Sequence, residues 1–332
     1  MGAHRWLKRF LTSLLIGLLS WCSQVSATDT LSISPEHAHY SLNEVTRYWH
    51  IEAPLTLRDV LEQAPEFHPV VSDSALQFGY TQGDTWLTAR LHNASPRPAT
   101  WMVKFEYPFL DHVTLYTLRE QFSDVQYSGS AIPIAERALA HRQAVFPITL
   151  AGGETVTLYS NVMAAGSKVL NYSIMTPEAF YTQNDRHNFW LATYFGMLIA
   201  LGLYNFLLFF GLKERVFLYY SLFAFGFTLA ILTFNGIGTL MFWSFLGDQT
   251  ARLVAIGFTF ASAMATLFAQ SFLNTWRYSP RWHRLLSWFR AACWLALLAA
   301  FLLPIQPALR LMDVVGFSAS LLLLVCGIYC SW

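Results

Sequence analysis

Apolar and polar positions follow two different rules along this chain, and the rule changes near residue 189. Through 28–180 the alternation has a period of two, in short segments bounded by Gly, Pro, Asn and Asp. Residues 85–93 put Leu87, Ala89 and Leu91 on one face, and 100–107 do the same with Trp101, Val103, Phe105 and Tyr107. Stretches 112–118, 142–148 and 155–162 repeat the pattern, the last after the turn Gly152-Gly153. Successive strand side chains point to opposite faces, so each segment predicts a half-buried strand. One short helix is expected, from residue 55 or 56 to about 63. Many short strands without long helices between them predict an all-β sandwich, with a jelly roll preferred over an immunoglobulin-like arrangement.

From 189 the apolar residues run together. Residues 189–212 hold 24 positions without a charge, enough for a helix at ~1.5 Å per residue to cross a ~30 Å hydrocarbon core. Further apolar stretches at 216–234, 253–273, 285–303 and 311–332 predict an α-helical transmembrane bundle with five spans. At the other end, Arg5, Lys8 and Arg9 precede the apolar run 10–19, and Val25-Ser26-Ala27 supplies small residues for cleavage. That is the pattern of a signal peptide, the alternative being an uncleaved anchor. Cys22 follows Trp21, where a lipoprotein signal needs a small residue. The expected organisation is therefore signal peptide 1–27, extracytoplasmic sandwich 28–180, linker 181–188 and helical domain 189–332.

Charge orients the spans. The first connection carries Lys213 and Arg215 and the third Arg277, Arg281 and Arg284, whereas the second has Asp248 with Arg252 and the fourth only Arg310. Positive-inside counting puts the first and third on the cytoplasmic side and the sandwich outside, in agreement with the signal peptide. Small residues recur every fourth position at Ala192, Gly196 and Ala200, at Ala255, Thr259 and Ala263, and at Ala292, Ala296 and Ala300. Such stripes let helices approach closely; packing inside the bundle is preferred over a homodimer seam. Asn205 is expected to hydrogen-bond a neighbouring helix.

Composition sharpens this. Only 12% of residues are charged, against about 25% in a soluble chain, which places part of the protein in the lipid bilayer. Residues 28–187 carry ten Lys/Arg against seventeen Asp/Glu, a net of −7, and 188–332 carry eight against three, a net of +5. An acidic soluble half excludes nucleic acid as a partner. The four cysteines all lie outside 28–187, so the sandwich must hold by its core alone. No Ser-His-Asp set, nucleophile elbow or phosphate-cradling glycine loop marks an enzyme. His37-Ala-His39 has ligand-like spacing without a cysteine or carboxylate cluster, and Asp73, Asp84 and Asp111 form no compact acidic motif, so neither metal nor cofactor is expected. The span interiors lack ionisable groups, Asp313 near an outer end being the nearest, which disfavours a transporter.

The faces turned away from the core carry the candidate chemistry. They hold Trp86, Arg90 and His92 on one strand and Lys104 and Glu106 on the next, with Tyr116, Arg142, Tyr159 and Asn161 on the others. Aromatic rings beside hydrogen-bonding groups suit a small, saccharide-like ligand. The plainer reading packs Trp86 beneath a loop and leaves the charges solvated; a one-residue register slip would reverse every assignment.

Phe78-Gly-Tyr80, Asp84-Thr-Trp86-Leu, Leu91-His-Asn93, then Trp101, Tyr107-Pro and Leu110-Asp-His-Val-Thr-Leu-Tyr116 resemble the extracellular sensory domain of bacterial seven-transmembrane receptors with diverse intracellular signalling modules. Tyr194-Phe-Gly-Met197, Leu203-Tyr-Asn205, Leu212-Lys-Glu-Arg215, Leu218-Tyr-Tyr220 and Phe234-Asn-Gly236 resemble the same family's membrane region. The resemblance implies an outer domain similar to carbohydrate-binding modules, joined through seven helices to a cytoplasmic diguanylate cyclase or histidine kinase in a bacterial inner membrane. It fixes no catalytic residue here. Five spans of seven and no output domain make a C-terminally truncated receptor the expectation, its last residue on the cytoplasmic side. The rival expectation is a module that docks a periplasmic protein partner, the membrane part acting as relay.

Overall fold

The computed structural model describes residues 30–70, 76–119 and 123–331. The signal-peptide expectation and Asp73 fall outside them. The alternating half folds as two packed sheets. The larger runs β4 (His68–Pro69), β3 (Arg47–Ile51), β6 (Asp84–Asn93), β11 (Thr155–Met163), β8 (His112–Leu118), β9 (Ser123–Ser128), with β1 (Leu31–Ile33) parallel to the end of β6. The smaller runs β10 (Val145–Leu150), β7 (Ala99–Phe105), β13 (Tyr172–Met175), β2 (His39–Ser41); β12 (Lys168–Leu170) and β5 (Leu76–Gly79) form a separate ribbon. Leu87, Leu91, Val113, Leu115, Val156 and Leu158 of one sheet meet Trp101, Val103, Phe105, Phe146 and Ile148 of the other in a buried core. Phe105 and Tyr172 stack there at 4.9 Å. The alternation therefore reports the true register. The short helix is α1 (Leu57–Gln63), closed by a reciprocal cap between Thr56 and Asp59, which satisfies two otherwise unpaired backbone donors.

The expected linker 181–188 is helical. A single helix, α2 (Pro177–Leu212), starts at the cap residue Thr176 and continues into the first apolar stretch without a break. Pro177 pre-sets the first turn; Gln183 and Asn184 are half-buried against the sandwich, and Asp185 to Asn188 are exposed. Phe180 anchors this extension on the smaller sheet, among Met102, Val145 and Met175. Four more apolar helices follow: α3 (Arg215–Phe234), α4 (Thr250–Phe272), α5 (Pro280–Leu302) and α6 (Ile305–Ser331). With α2, they make five helices long and apolar enough to cross a membrane. Helix α4 is central and packs on α3, α5 and α6. Its Ala255, Thr259 and Ala263 are buried, and a Cβ at Gly257 would sit 2.9 Å from that of Ala230 on α3. Between α3 and α4 the chain makes a π-helical piece, Thr239–Trp243, and a 3-10 piece, Ser244–Gln249, exposing Met241, Phe242 and Phe245.

Two packing expectations need correction. Ala192, Gly196 and Ala200 are exposed, and nothing lies within 4 Å of a Cβ built at Gly196. Helix α2 instead meets α3 at Gly202, which faces Ala224 and Phe225 and accepts a 2.8 Å hydrogen bond from Ser221 Oγ. At about 100° per residue, the small-residue stripe is centred roughly a third of a turn from that contact line, on the exposed side of the helix. Asn205 donates to the Leu201 carbonyl of its own helix at 2.9 Å rather than to a neighbour.

Candidate functional site

The candidate ligand residues separate into two places. Six lie on the outer face of the larger sheet: Trp86, Arg90 and His92 on β6, Tyr159 and Asn161 on β11, and Tyr116 on β8. Cross-strand pairing sets Asn161 opposite Trp86 and Tyr159 opposite Tyr116. The ring of Trp86, however, is sealed from solvent and stacks on Tyr116 at 5.9 Å. Its Nε1 has no hydrogen-bond partner among the described residues. Asn161 is also buried and donates to Asp84 Oδ2 at 2.9 Å. Phe67, from the loop after α1, leans over Trp49 at 6.3 Å and Tyr159 at 6.2 Å. The open part of the face is thus Arg90 with the edges of Tyr116, Tyr159, Trp49 and Phe67, and beyond them the exposed Tyr127. His92 holds Thr155 Oγ1 at 3.0 Å near the strand end.

Periodicity missed Trp49, because Arg47-Tyr-Trp-His-Ile51 does not alternate polar with apolar; in the sheet Trp49 pairs directly with Trp86. Beside this face Lys168 is fully buried and donates to the Gly83 carbonyl, with Asp84 nearby. Burial holds its amine below the ordinary lysine value, against the pull of Asp84. Burial, and then Lys168, likewise lower His50.

Lys104, Glu106 and Arg142 lie elsewhere. Alternation tells outward from inward but not which sheet a strand joins, and β7 and β10 belong to the smaller one. Its outward side lies beneath the extension of α2. Lys104 Nζ sits 2.8 Å from Glu106 Oε2 and donates to Gln183 Oε1 of α2 at 3.0 Å. Glu106 also accepts from Ser173 Oγ at 3.1 Å. Arg142 is 6% exposed, and its neighbour His141 holds Asn184 Oδ1 of α2 at 2.9 Å.

The rest of this junction is invisible to periodicity. The loop between β7 and β8 drops Phe109 into the outer end of the bundle, where it is buried with Ala251, Val254, Ala300, Ala308, Leu309 and Met312. Phe234 lies 5.4 Å from Phe109 and 6.0 Å from Tyr107. Around this plug, Tyr80 donates its hydroxyl to Asp313, Arg310 donates to the Tyr80 carbonyl at 2.8 Å, and Gln82 donates to Gln306 at 3.2 Å. His112 pairs with Asp248 at 2.9 Å. Burial, with Asp313 and Asp111 near, pushes the Tyr107 hydroxyl up to about 12. Burial also raises the Asp111 carboxyl, although it accepts from Ala165 N–H and Ser130 Oγ. Among the described residues the arrangement contains no nucleophile–base pair; it is a joint between the sandwich and the helix ends. Inside the bundle, a cleft of about 500 Å³ between α3, α4 and α6 has Asp313 at its lining among mostly apolar side chains.

Two family models match the chain. Residues 187–332 match the model described as 7TM diverse intracellular signalling. Residues 43–176 match the model described as 7TMR-DISM extracellular 2. None of the curated proteins compared with the chain matches it.

Proposed function

The chain belongs to the 7TMR-DISM family of membrane receptors, with an extracellular sensory domain followed by transmembrane helices, and from that premise we propose that its sandwich senses a small saccharide-like ligand. The observation that carries the reading is the outer face of the larger sheet. There the rings of Trp49, Tyr116, Tyr159 and Phe67 border the exposed Arg90, on a surface that neither the core nor the bundle uses. Rings cover the C–H face of a sugar while guanidinium and hydroxyl groups meet its hydroxyls. Binding is relayed by the Phe109 joint, because a ligand shifts an equilibrium only through its different affinity for two arrangements. The protein sits in a bacterial inner membrane with the sandwich in the periplasm and α6 ending on the cytoplasmic side. Its signal passes to a cytoplasmic diguanylate cyclase or histidine kinase.

The test is a thermal-shift titration of the full chain in nanodiscs against a panel of oligosaccharides, repeated with Arg90→Ala and Tyr159→Ala. A saturable rise that both variants weaken supports the reading. A flat response across the panel, or a rise that both variants preserve, rejects it. One observation favours a second reading. β9 is an edge strand whose Val125 and Tyr127 are 41% and 49% exposed, and an open edge with apolar side chains can pair with another chain. Photo-crosslinking from Tyr127 in cells to a single periplasmic protein would favour docking over small-molecule sensing.

A further inference from the structure

Arg142 has five hydrogen-bond donors, yet its side chain makes no hydrogen bond or ion pair among the described residues. It is 6% exposed and its Nε is sealed from solvent. Arginine is almost never buried in this way without an acceptor. Its surroundings add charge of the same sign. Lys104, 5% exposed, is drawn to the same Glu106 carboxylate, and Arg142 and Lys104 both act on His141 of the Arg142 loop and on His187 of α2, where Arg186 adds its charge. The acid that acts on Arg142 is Glu106, but that carboxylate is already held by Lys104 at 2.8 Å and Ser173 at 3.1 Å. Two buried cations therefore share one carboxylate.

The height of the cluster is informative. A Cβ at Gly236, at the outer end of α3, would lie 2.5 Å from the Arg142 carbonyl oxygen. On α2, His187 precedes Phe189 and Trp190, which are 64% and 65% exposed, the kind of aromatic pair that marks a membrane interface. Arg142 thus lies at headgroup level. A planar guanidinium with a second cation beside it matches a phosphate group better than any other common anion.

We infer that this junction between the smaller sheet, the α2 extension and Gly236 is a binding site for a phosphate group, gripped by Arg142 with Lys104 and His187 flanking it. The group comes either from a lipid headgroup or from free phosphate. The site is independent of the saccharide face, which lies on the other sheet, so either can fail without the other.

The test uses the full chain in a neutral detergent, with its unfolding midpoint followed by tryptophan fluorescence. One arm titrates inorganic phosphate against chloride at constant ionic strength. The other titrates short-chain phosphatidylglycerol against the matching diacylglycerol, which lacks the phosphate. A saturable rise with phosphate identifies a free anion, and a rise with the phospholipid alone identifies a headgroup; either supports the inference. Arg142→Gln is expected to weaken apparent affinity about ten- to a hundredfold, the range for losing a charge-assisted contact. Arg142→Lys keeps part of it, and Arg97→Gln, on an exposed loop, leaves it unchanged. Flat titrations in both arms overturn the inference, as does a rise that Arg142→Gln preserves. Should Arg142→Gln not fold, Arg142→Lys and the wild-type titrations still decide.

Discussion

Replacing Phe109 by alanine should loosen the sandwich from the bundle without unfolding either. The ring is 3% exposed and its buried neighbours belong to α4, α5 and α6 rather than to the sandwich core. Burying roughly 150–200 Å² of aromatic surface at about 25 cal/mol per Å² is worth about 4–5 kcal/mol. Measured Phe→Ala costs of about 3–5 kcal/mol agree with that figure. What remains around the Phe109 plug is mostly polar and partly exposed, such as the His112–Asp248 pair, and pairs of that kind contribute about 1 kcal/mol or less each. The buried Phe180 contact holds α2 rather than the ends of α4 to α6. Nearly all of the loss should therefore appear as local opening. At 1.4 kcal/mol per decade, hydrogen exchange in segments 107–112 and 235–249 should speed up by about two to three orders of magnitude. Amides of β6 and β11 should keep their wild-type protection. Unchanged exchange at both segments, or faster exchange spread through β6 and β11, would refute the assignment of Phe109 to the joint.

Two further outcomes follow from the packing and the titration behaviour. Gly257→Leu must displace Ala230, whose Cβ lies 2.9 Å from the added atom, and should lower the unfolding midpoint in detergent by several degrees or prevent folding, as overpacking typically costs about 1–3 kcal/mol. Gly196→Leu points into open space and should leave the midpoint within about 0.5 kcal/mol of wild type; equal effects of the two would contradict the helix arrangement. His141 sits below its ordinary value of 6.5 because of burial first, with Arg142 and Lys104 adding to it and the Asn184 contact opposing. The folded state then binds this proton less readily than the unfolded state, so stability is full above about pH 6.5 and falls as pH drops below it. His141→Gln, which keeps a donor toward Asn184, should flatten that slope between pH 7 and 5, as read from urea midpoints.

Strand register was legible in the sequence because a half-buried strand writes its two faces as alternate letters. Trp86 and Leu87 fall on the sides their neighbours imply. The apolar spans and their order were equally plain. Sheet membership was not, since Lys104 and Arg90 are both outward-facing on their strands yet stand on opposite walls of the sandwich. Nor was the cover over Trp86, which depends on Phe67 returning from a loop. The stripe at Ala192, Gly196 and Ala200 misled because small residues permit close approach without requiring it; what fixes the α2 contact is Gly202 opposite Phe225. That 181–188 is helical was not legible either: a mostly polar run held to the sandwich by Gln183 and Asn184 carries no amphipathic signature.

The unbroken α2 sets the gearing of the receptor. No proline follows Pro177 within it, so it moves as a stiff rod that meets the bundle at Gly202. At ~1.5 Å per residue the arm above that fulcrum is about 38 Å long and the arm below it about 15 Å. A tilt that carries Phe180 sideways by a given distance therefore moves the inner end of the rod less than half as far, in the opposite direction. The same ratio multiplies force. On the proposed function, a small, reversed and forceful displacement at that end suits an output that responds to strain between packed helices rather than to large separations.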